Sequence, residues 1–332
     1  MKTKTMLFLL AGLLGIQSAA AEESGRDAVW AQQNRYQGAV AVWYGSHLET
    51  TGIHDWDAIK KWNGPYHPLL GNYKTGNRKI LRQQLKWMRR AGIDVIFYDA
   101  VRVEPEQNLF ALPKQKTLRL LMDELSHREN ESRKLKLVVW LERWNSNPSA
   151  DEYRFALDYL RKNVVNHDFY FQFEGKPLVV RYFNAPAPNF SAIDQEYSEF
   201  FTLRRITPET GTKDWTYFGP LGGAEEMTVN PGADGYLEDA FITEHVKGKP
   251  VDNVTLRKHA PVVIQNRADG KYFEDQLLKV RQVDPRLIFI SGWNDWAWCL
   301  QIEPAKEYEF KYLDIAARFL GRESETSPYR KP

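Results

Sequence analysis

The 332-residue chain holds a single cysteine, Cys299, so no disulfide can form within it and stability must come from a packed core. As a lone thiol it reads most simply as a small buried hydrophobe. After the first residues no apolar run approaches the roughly 20 residues that cross a bilayer, so no membrane span is expected. Charge of one sign is not in excess either: 45 basic side chains face 43 acidic ones, and the surplus is supplied by Lys2 and Lys4. That balance offers no basic face to nucleic acid or to an anionic membrane, and neither is expected as a partner. There is no P-loop, no GxGxxG after a strand-like run, no HExxH and no GxSxG. The seven histidines, with His54 and His67 early and His245 and His259 late, lack metal-ligand spacing. Neither a cofactor nor a metal is expected. Internal repeats, low-complexity blocks and long linkers are absent from the sequence as well.

The chain opens with Lys2 and Lys4, then an apolar run from Met6 to Ile16 and the small residues Ser18-Ala19-Ala20-Ala21. This is the pattern of an export signal cleaved after Ala21, which predicts a secreted or periplasmic protein. Residues 22–332 then form one domain of about 311 residues, enough to bury a large core.

Short apolar, β-branched or aromatic runs recur at Ala39–Tyr44, Ile93–Tyr98, Leu135–Leu141, Pro177–Tyr182, Trp215–Phe218, Pro261–Ile264 and Leu287–Ser291. Each has the length and composition of a strand buried on both faces. Amphipathic stretches of helical period separate them, at Asn77–Ala91, Lys114–His127, Ala150–Val165, Ala192–Arg204, Lys271–Val283 and Ala305–Phe319. Alternation of this kind predicts an α/β fold with a parallel sheet, and the length predicts a closed single-domain (β/α)8 TIM barrel. An eighth strand is expected within Gly222–Phe241, over Ala233–Glu238. The segment from Gly45 to Gly76, rich in aromatics, glycine and proline, exceeds what a connection needs and is expected to wall a binding site.

Barrels of this type build their sites at the carboxyl ends of the strands. Acids expected there are Asp99, Glu142, Glu238 and Asp295, and glycoside chemistry needs one carboxyl to protonate the departing oxygen and a second as nucleophile, base or anchor. Aromatic faces suit the apolar CH faces of sugar rings. Trp43, Tyr44, Trp62, Tyr66, Trp293, Trp296 and Trp298 fall near the expected rim, with His67, Arg143, Asn266, Arg267 and Asn294 as polar contacts. Single tryptophans are often core, but three within six residues cannot all face inward along an alternating strand. An oligo- or polysaccharide is therefore the expected partner.

Several segments resemble one known group. Trp62-Asn63-Gly64-Pro65-Tyr66-His67-Pro68-Leu69-Leu70-Gly71-Asn72-Tyr73, followed by Gln84–Met88 and Ala91–Asp94, is similar to the amino-terminal part of the glycoside hydrolase family 71/99-like barrels, which include the endo-α-mannosidases. Leu141-Glu142-Arg143-Trp144 resembles that group's Glu-Pro-Tyr strand end, and Asn266–Phe273 its Arg-x-Gly-x-Tyr-Tyr segment. Gly292-Trp293-Asn294-Asp295-Trp296 with Gln301-Ile302-Glu303-Pro304-Ala305 resembles its last-strand pattern. The resemblance runs in order from about residue 62 to 305. It implies a barrel that hydrolyses glycans through two glutamates three apart, one engaging the sugar 2-hydroxyl and the next acting as general acid and base. Here those positions carry Asp295 and Trp298, and the Ile-Glu-Pro position of Glu303 implies a structural role. Three functions are compatible with the exchange: hydrolysis with a proton donor from Glu142, Asp99 or Glu238; glycan binding without cleavage; or another step on sugar such as polysaccharide assembly.

Overall fold

A computed structural model describes residues 36–45, 66–100, 116–127, 135–143, 148–183, 190–207, 214–217, 221–232, 266–296 and 299–320. Its strands are β1 (Ala39–Gly45), β2 (Val95–Asp99), β3 (Lys136–Arg143), β4 (Gln172–Phe173), β5 (Lys176–Phe183), β6 (Thr202–Thr207), β7 (Trp215–Thr216), β8 (Leu221–Gly222), β9 (Glu226–Val229) and β10 (Leu287–Ile290). Eight of them run parallel in the order β7-β6-β5-β3-β2-β1-β10-β9, while β4 and β8 add short antiparallel hairpins to β5 and β9. The ring closes between β9 and β7, where the Thr228 hydroxyl donates to the Thr216 carbonyl. The fold is a nearly closed (β/α)8 barrel.

Helices α1 (Arg78–Arg90), α2 (Lys116–Ser126), α3 (Ala150–Asn163), α4 (Ser191–Tyr197), α5 (Lys271–Val283) and α6 (Lys311–Phe319) lie in the connections. Their ends follow local chemistry. The Asn77 side chain accepts from the Lys79 amide at 3.0 Å to start α1, and Arg89 and Arg90 sit in its last turn, where the helix dipole favours cations. Ser149 and Glu152 form a reciprocal capping box on α3.

Strands such as β1, β2 and β10 are buried on both faces, which is why their sequences read as continuous apolar runs. Ala41 and Trp43 of β1 point into the barrel with Phe97, Trp140 and Phe289, and the Phe97 and Phe289 rings stack with centroids 5.1 Å apart. Val40, Val42 and Tyr44 point outward against Leu81, Leu85 and the other inner faces of the helices.

Two expectations about elements are corrected. The helix predicted over Ala192–Arg204 stops at Tyr197, and the chain turns into barrel strand β6. Arg204 and Arg205 give that strand a helix-like polarity, because the Arg204 guanidinium is held at the opposite face of the barrel by Glu225 (2.6 Å) and Glu174 (2.8 Å). The eighth barrel strand expected within Gly222–Phe241 does lie there, but at Glu226–Val229 rather than over Ala233–Glu238, because the inward residues Glu226 and Thr228 are polar and mask the apolar run. Residues 233–238 and the run at 261–264 lie outside the described residues, as does the export signal.

Glu226 is a buried acid at the end of the barrel away from the strand carboxyl termini. Its Oε1 lies 2.6 Å from the Thr228 hydroxyl, whose own proton goes to the Thr216 carbonyl, and burial pushes its carboxyl up to about 8. An acid that keeps its proton in the folded state and loses it near 4.5 when unfolded contributes fully below pH 4.5. That contribution declines as pH rises and is gone above about 8, at about 1.4 kcal/mol per pH unit for one proton. Glu142, raised to about 8, and Glu303, raised to about 7, act in the same direction. Glu226→Gln should therefore flatten the fall in stability between pH 5 and 8 by about one third and raise the melting temperature at pH 8. Calorimetric melts across that range check it, and a slope identical to wild type would place the Glu226 proton elsewhere.

Candidate active site

The site is built at the carboxyl ends of the strands. Asp99 is the last residue of β2 and Glu142 the penultimate residue of β3, each on the inward face set by Phe97 and Trp140 two residues before. Asp295 follows β10. All three acids are buried, with 1%, 4% and 2% of their surface exposed.

The placement of Asp295 depends on several backbone ties. Trp293 donates its amide to the Trp43 carbonyl at 2.7 Å, and the Asn294 side chain pairs with Gly45, accepting from its amide (2.8 Å) and donating to its carbonyl (3.0 Å). Asn294 thus extends the ladder between β1 and β10 by one amide-like rung. Gly292 has a φ of +119°, and a Cβ there would stand 2.4 Å from the Leu300 carbonyl oxygen, so only glycine admits the returning chain. On that return Leu300 donates to the Asp295 carbonyl at 3.1 Å.

Asp99 and Glu142 share a side-chain hydrogen bond, and two carboxyl groups can do so only with a proton between them. Burial raises Glu142 to about 8, with the Asp295 charge adding to the shift, while Asp99 and the Trp140 indole, 3.0 Å from Oε2, pull it down. Asp295 Oδ2 accepts from the Tyr217 hydroxyl at 2.6 Å. Burial first, then Asp295, Glu142 and Asp99, push the Tyr217 phenol far above its ordinary value, so it remains a neutral donor. Its ring stands edge-on to Trp43 (6.1 Å) and Trp140 (5.7 Å). Three carboxyls and one phenol therefore meet over an aromatic floor. The set can hold one proton on the Asp99–Glu142 pair and offer a fixed carboxylate at Asp295.

The other expected residues divide. Trp43 lies in the floor, while Tyr44 points outward and donates to Gln84 Oε1 on α1 at 3.0 Å. Arg267 is buried among the rings of Tyr66, Tyr308 and Tyr312, at 4.8, 5.3 and 4.7 Å, and its Nη2 donates to the Cys299 and Gln301 carbonyls. It supports the segment after Asp295. Asn266 is exposed and its side chain accepts from the Ala268 amide; His67 is exposed and pairs with Glu307 at 2.7 Å. Trp293 is fully buried, and Trp296 is buried with its indole donating to Glu303 at 3.1 Å. Trp62, Glu238, Trp298 and the Arg143 side chain lie outside the described residues. Sequence reasoning passed over Tyr217, although it falls at the end of an expected strand run, where the same positional rule applies.

Among the described residues one group, Asp123 and Glu124 of α2 with His127 just after it, has carboxylate and imidazole atoms close enough to surround a cation. Arg78 and Arg82 already occupy it: Arg78 contacts Asp123 at 2.6 Å and also Glu124, and Arg82 contacts Glu124 at 2.8 Å. Also among the described residues, no helix is long and apolar enough to cross a membrane.

No family model matches the chain. It is 22% identical over 277 residues to a glycoprotein endo-alpha-1,2-mannosidase of Rattus norvegicus, covering 75% of this chain and 59% of that protein. The same protein of Mus musculus is 21% identical over the same shares. The chain thus spans well under two thirds of the length of these relatives. Its fold matches a GH99 endo-alpha-mannosidase from Bacteroides thetaiotaomicron with a TM-score of 0.63 and 16% identity, covering 87% of this chain and 98% of that one. A glycoside hydrolase-like protein matches at a TM-score of 0.53 and 14% identity. The barrel is of the GH99-like type.

Proposed function

We propose that this protein is a secreted or periplasmic glycoside hydrolase that cleaves an α-linked, mannose-containing glycan. The observation that carries the reading is the meeting of Asp99, Glu142 and Asp295 with Tyr217 at the catalytic end of the barrel. Likeness to endo-alpha-1,2-mannosidases supports the substrate class. The amino-terminal signal with cleavage near Ala21 supports the compartment.

In this proposal Glu142 carries the proton given to the departing glycosidic oxygen. A carboxyl raised to about 8 is still protonated at neutral pH, which a proton donor requires. Asp99 holds that proton on the pair until transfer, and the water consumed in hydrolysis supplies the proton that returns to Glu142 as its hydroxyl joins the anomeric carbon. Asp295, with one oxygen fixed by the Tyr217 hydroxyl, acts as the carboxylate that takes a proton from a sugar hydroxyl or from water. The indoles of Trp43 and Trp140 supply the apolar surface below the ring.

The test is to incubate the mature protein with α-mannans, α-glucans and glycoprotein glycans, following new reducing ends and melting temperature together. Products from a mannose-containing glycan are expected. A melting shift without products would identify glycan binding without cleavage, and neither effect would reject action on these sugars.

A further inference from the structure

We propose that Glu303 is a positioning residue that locks the wall after β1 and the Asp295-bearing turn after β10 into one unit. Its carboxylate gathers donors from three separate segments. Gln84 Nε2 on α1 donates to Oε1 at 2.7 Å; the Tyr73 hydroxyl and, at 3.1 Å, the Trp296 indole both donate to Oε2. Gln84 in turn accepts from Tyr44 of β1, and the Tyr308 hydroxyl donates to the Glu303 carbonyl at 2.8 Å. Glu303 is fully buried. Its four-segment network joins residues more than 200 positions apart in the chain.

The two parts it links are also tied along one edge. Leu69 donates to the Pro304 carbonyl at 2.9 Å, Lys306 to the His67 carbonyl at 2.8 Å, and the Tyr66 and Tyr308 rings meet edge-on at 5.4 Å. These contacts hold residues 66–69 to residues 304–308. Trp296, the neighbour of Asp295, also meets Tyr73 directly, its indole 3.4 Å from the phenol oxygen and both rings in one apolar cluster, and the Glu303 carboxylate adds the shared acceptor that ties this pair to Gln84 of α1. Removing this acceptor would leave an indole, a phenol and an amide in a dry site, and such groups move until they find partners. The proposal goes beyond the hydrolase reading, since the mechanical link exists whether or not the site turns over.

Hydrogen exchange by mass spectrometry on the full chain tests it. Tyr73→Phe deletes one hydroxyl from the wall and leaves the ring. Faster exchange is expected both in peptides covering 66–77 and in peptides covering 293–296; because Tyr73 also touches Trp296 directly, the variants at 303 assign the effect to the carboxylate. Glu303→Leu should loosen both together. Glu303→Gln should restore protection, because an amide oxygen still accepts from Tyr73 and Trp296 while the Gln84 amide turns over to accept from the new NH2 group. Exchange that rises only in 66–77 for Tyr73→Phe, or equal loosening by Leu and Gln at 303, overturns the link. If the wild-type protein releases sugar, Tyr73→Phe should lower kcat roughly tenfold with KM within about threefold. A wild type without product rejects the hydrolase reading, and the exchange data still decide the role of Glu303.

Discussion

Asp295→Asn is expected to lower kcat on the order of 10³–10⁴-fold while leaving glycan affinity within a few-fold. The substitution keeps shape and one acceptor. An amide oxygen at the Oδ2 position still takes the Tyr217 hydroxyl now 2.6 Å away, so the turn that carries it keeps its anchor. What disappears is the negative charge and the capacity to accept a proton, and both are needed as the glycosidic bond breaks rather than when the sugar first binds. Binding therefore survives and turnover does not. Calorimetric titration of the variant with the released oligosaccharide, beside steady-state rates, separates the two. A variant with the wild-type rate would remove Asp295 from the mechanism.

Much of the barrel was legible because strands buried on both faces announce themselves as unbroken apolar runs, and helices with one wet face do not. Legibility failed where function or closure put polar groups on the inner face. β9 begins with Glu226 and carries Thr228, whose hydroxyl closes the ring on β7, so its four residues do not look like a core strand. β6 carries Arg204, whose charge is neutralised by Glu174 and Glu225 from other segments that no local window contains. At the site, strand parity was enough to point Asp99 and Glu142 inward from the residues two before them. It also separates Trp43, which faces the barrel, from Tyr44, which faces α1. Arg267 is different: an arginine after a strand run reads as a ligand contact, yet its partners are rings at positions 66, 308 and 312, brought together only by the closed fold. Glu303 has the same origin, since its donors at 73, 84 and 296 share no sequence pattern with it.

Glu142→Gln is expected to reduce kcat about 10²–10⁴-fold on a natural glycan, whose departing oxygen needs a proton, and far less on an aryl glycoside whose phenolate leaves unassisted. The fold should tolerate it, because an amide at this position can still accept from the Trp140 indole and donate toward Asp99. The pH profile carries the sharper signature. With its carboxyl raised to about 8 by burial and by the Asp295 charge, Glu142 is protonated and competent below that pH. The wild-type kcat/KM on the natural glycan should therefore fall as pH rises through about 8, and the variant should lose that descending limb. Equal rate losses on both leaving groups, or a descending limb retained in the variant, would move the proton donor away from Glu142. The acid would then have to come from Asp99, which shares the same proton, or from outside the described residues, and Asp99→Asn measured with the same two substrates distinguishes these.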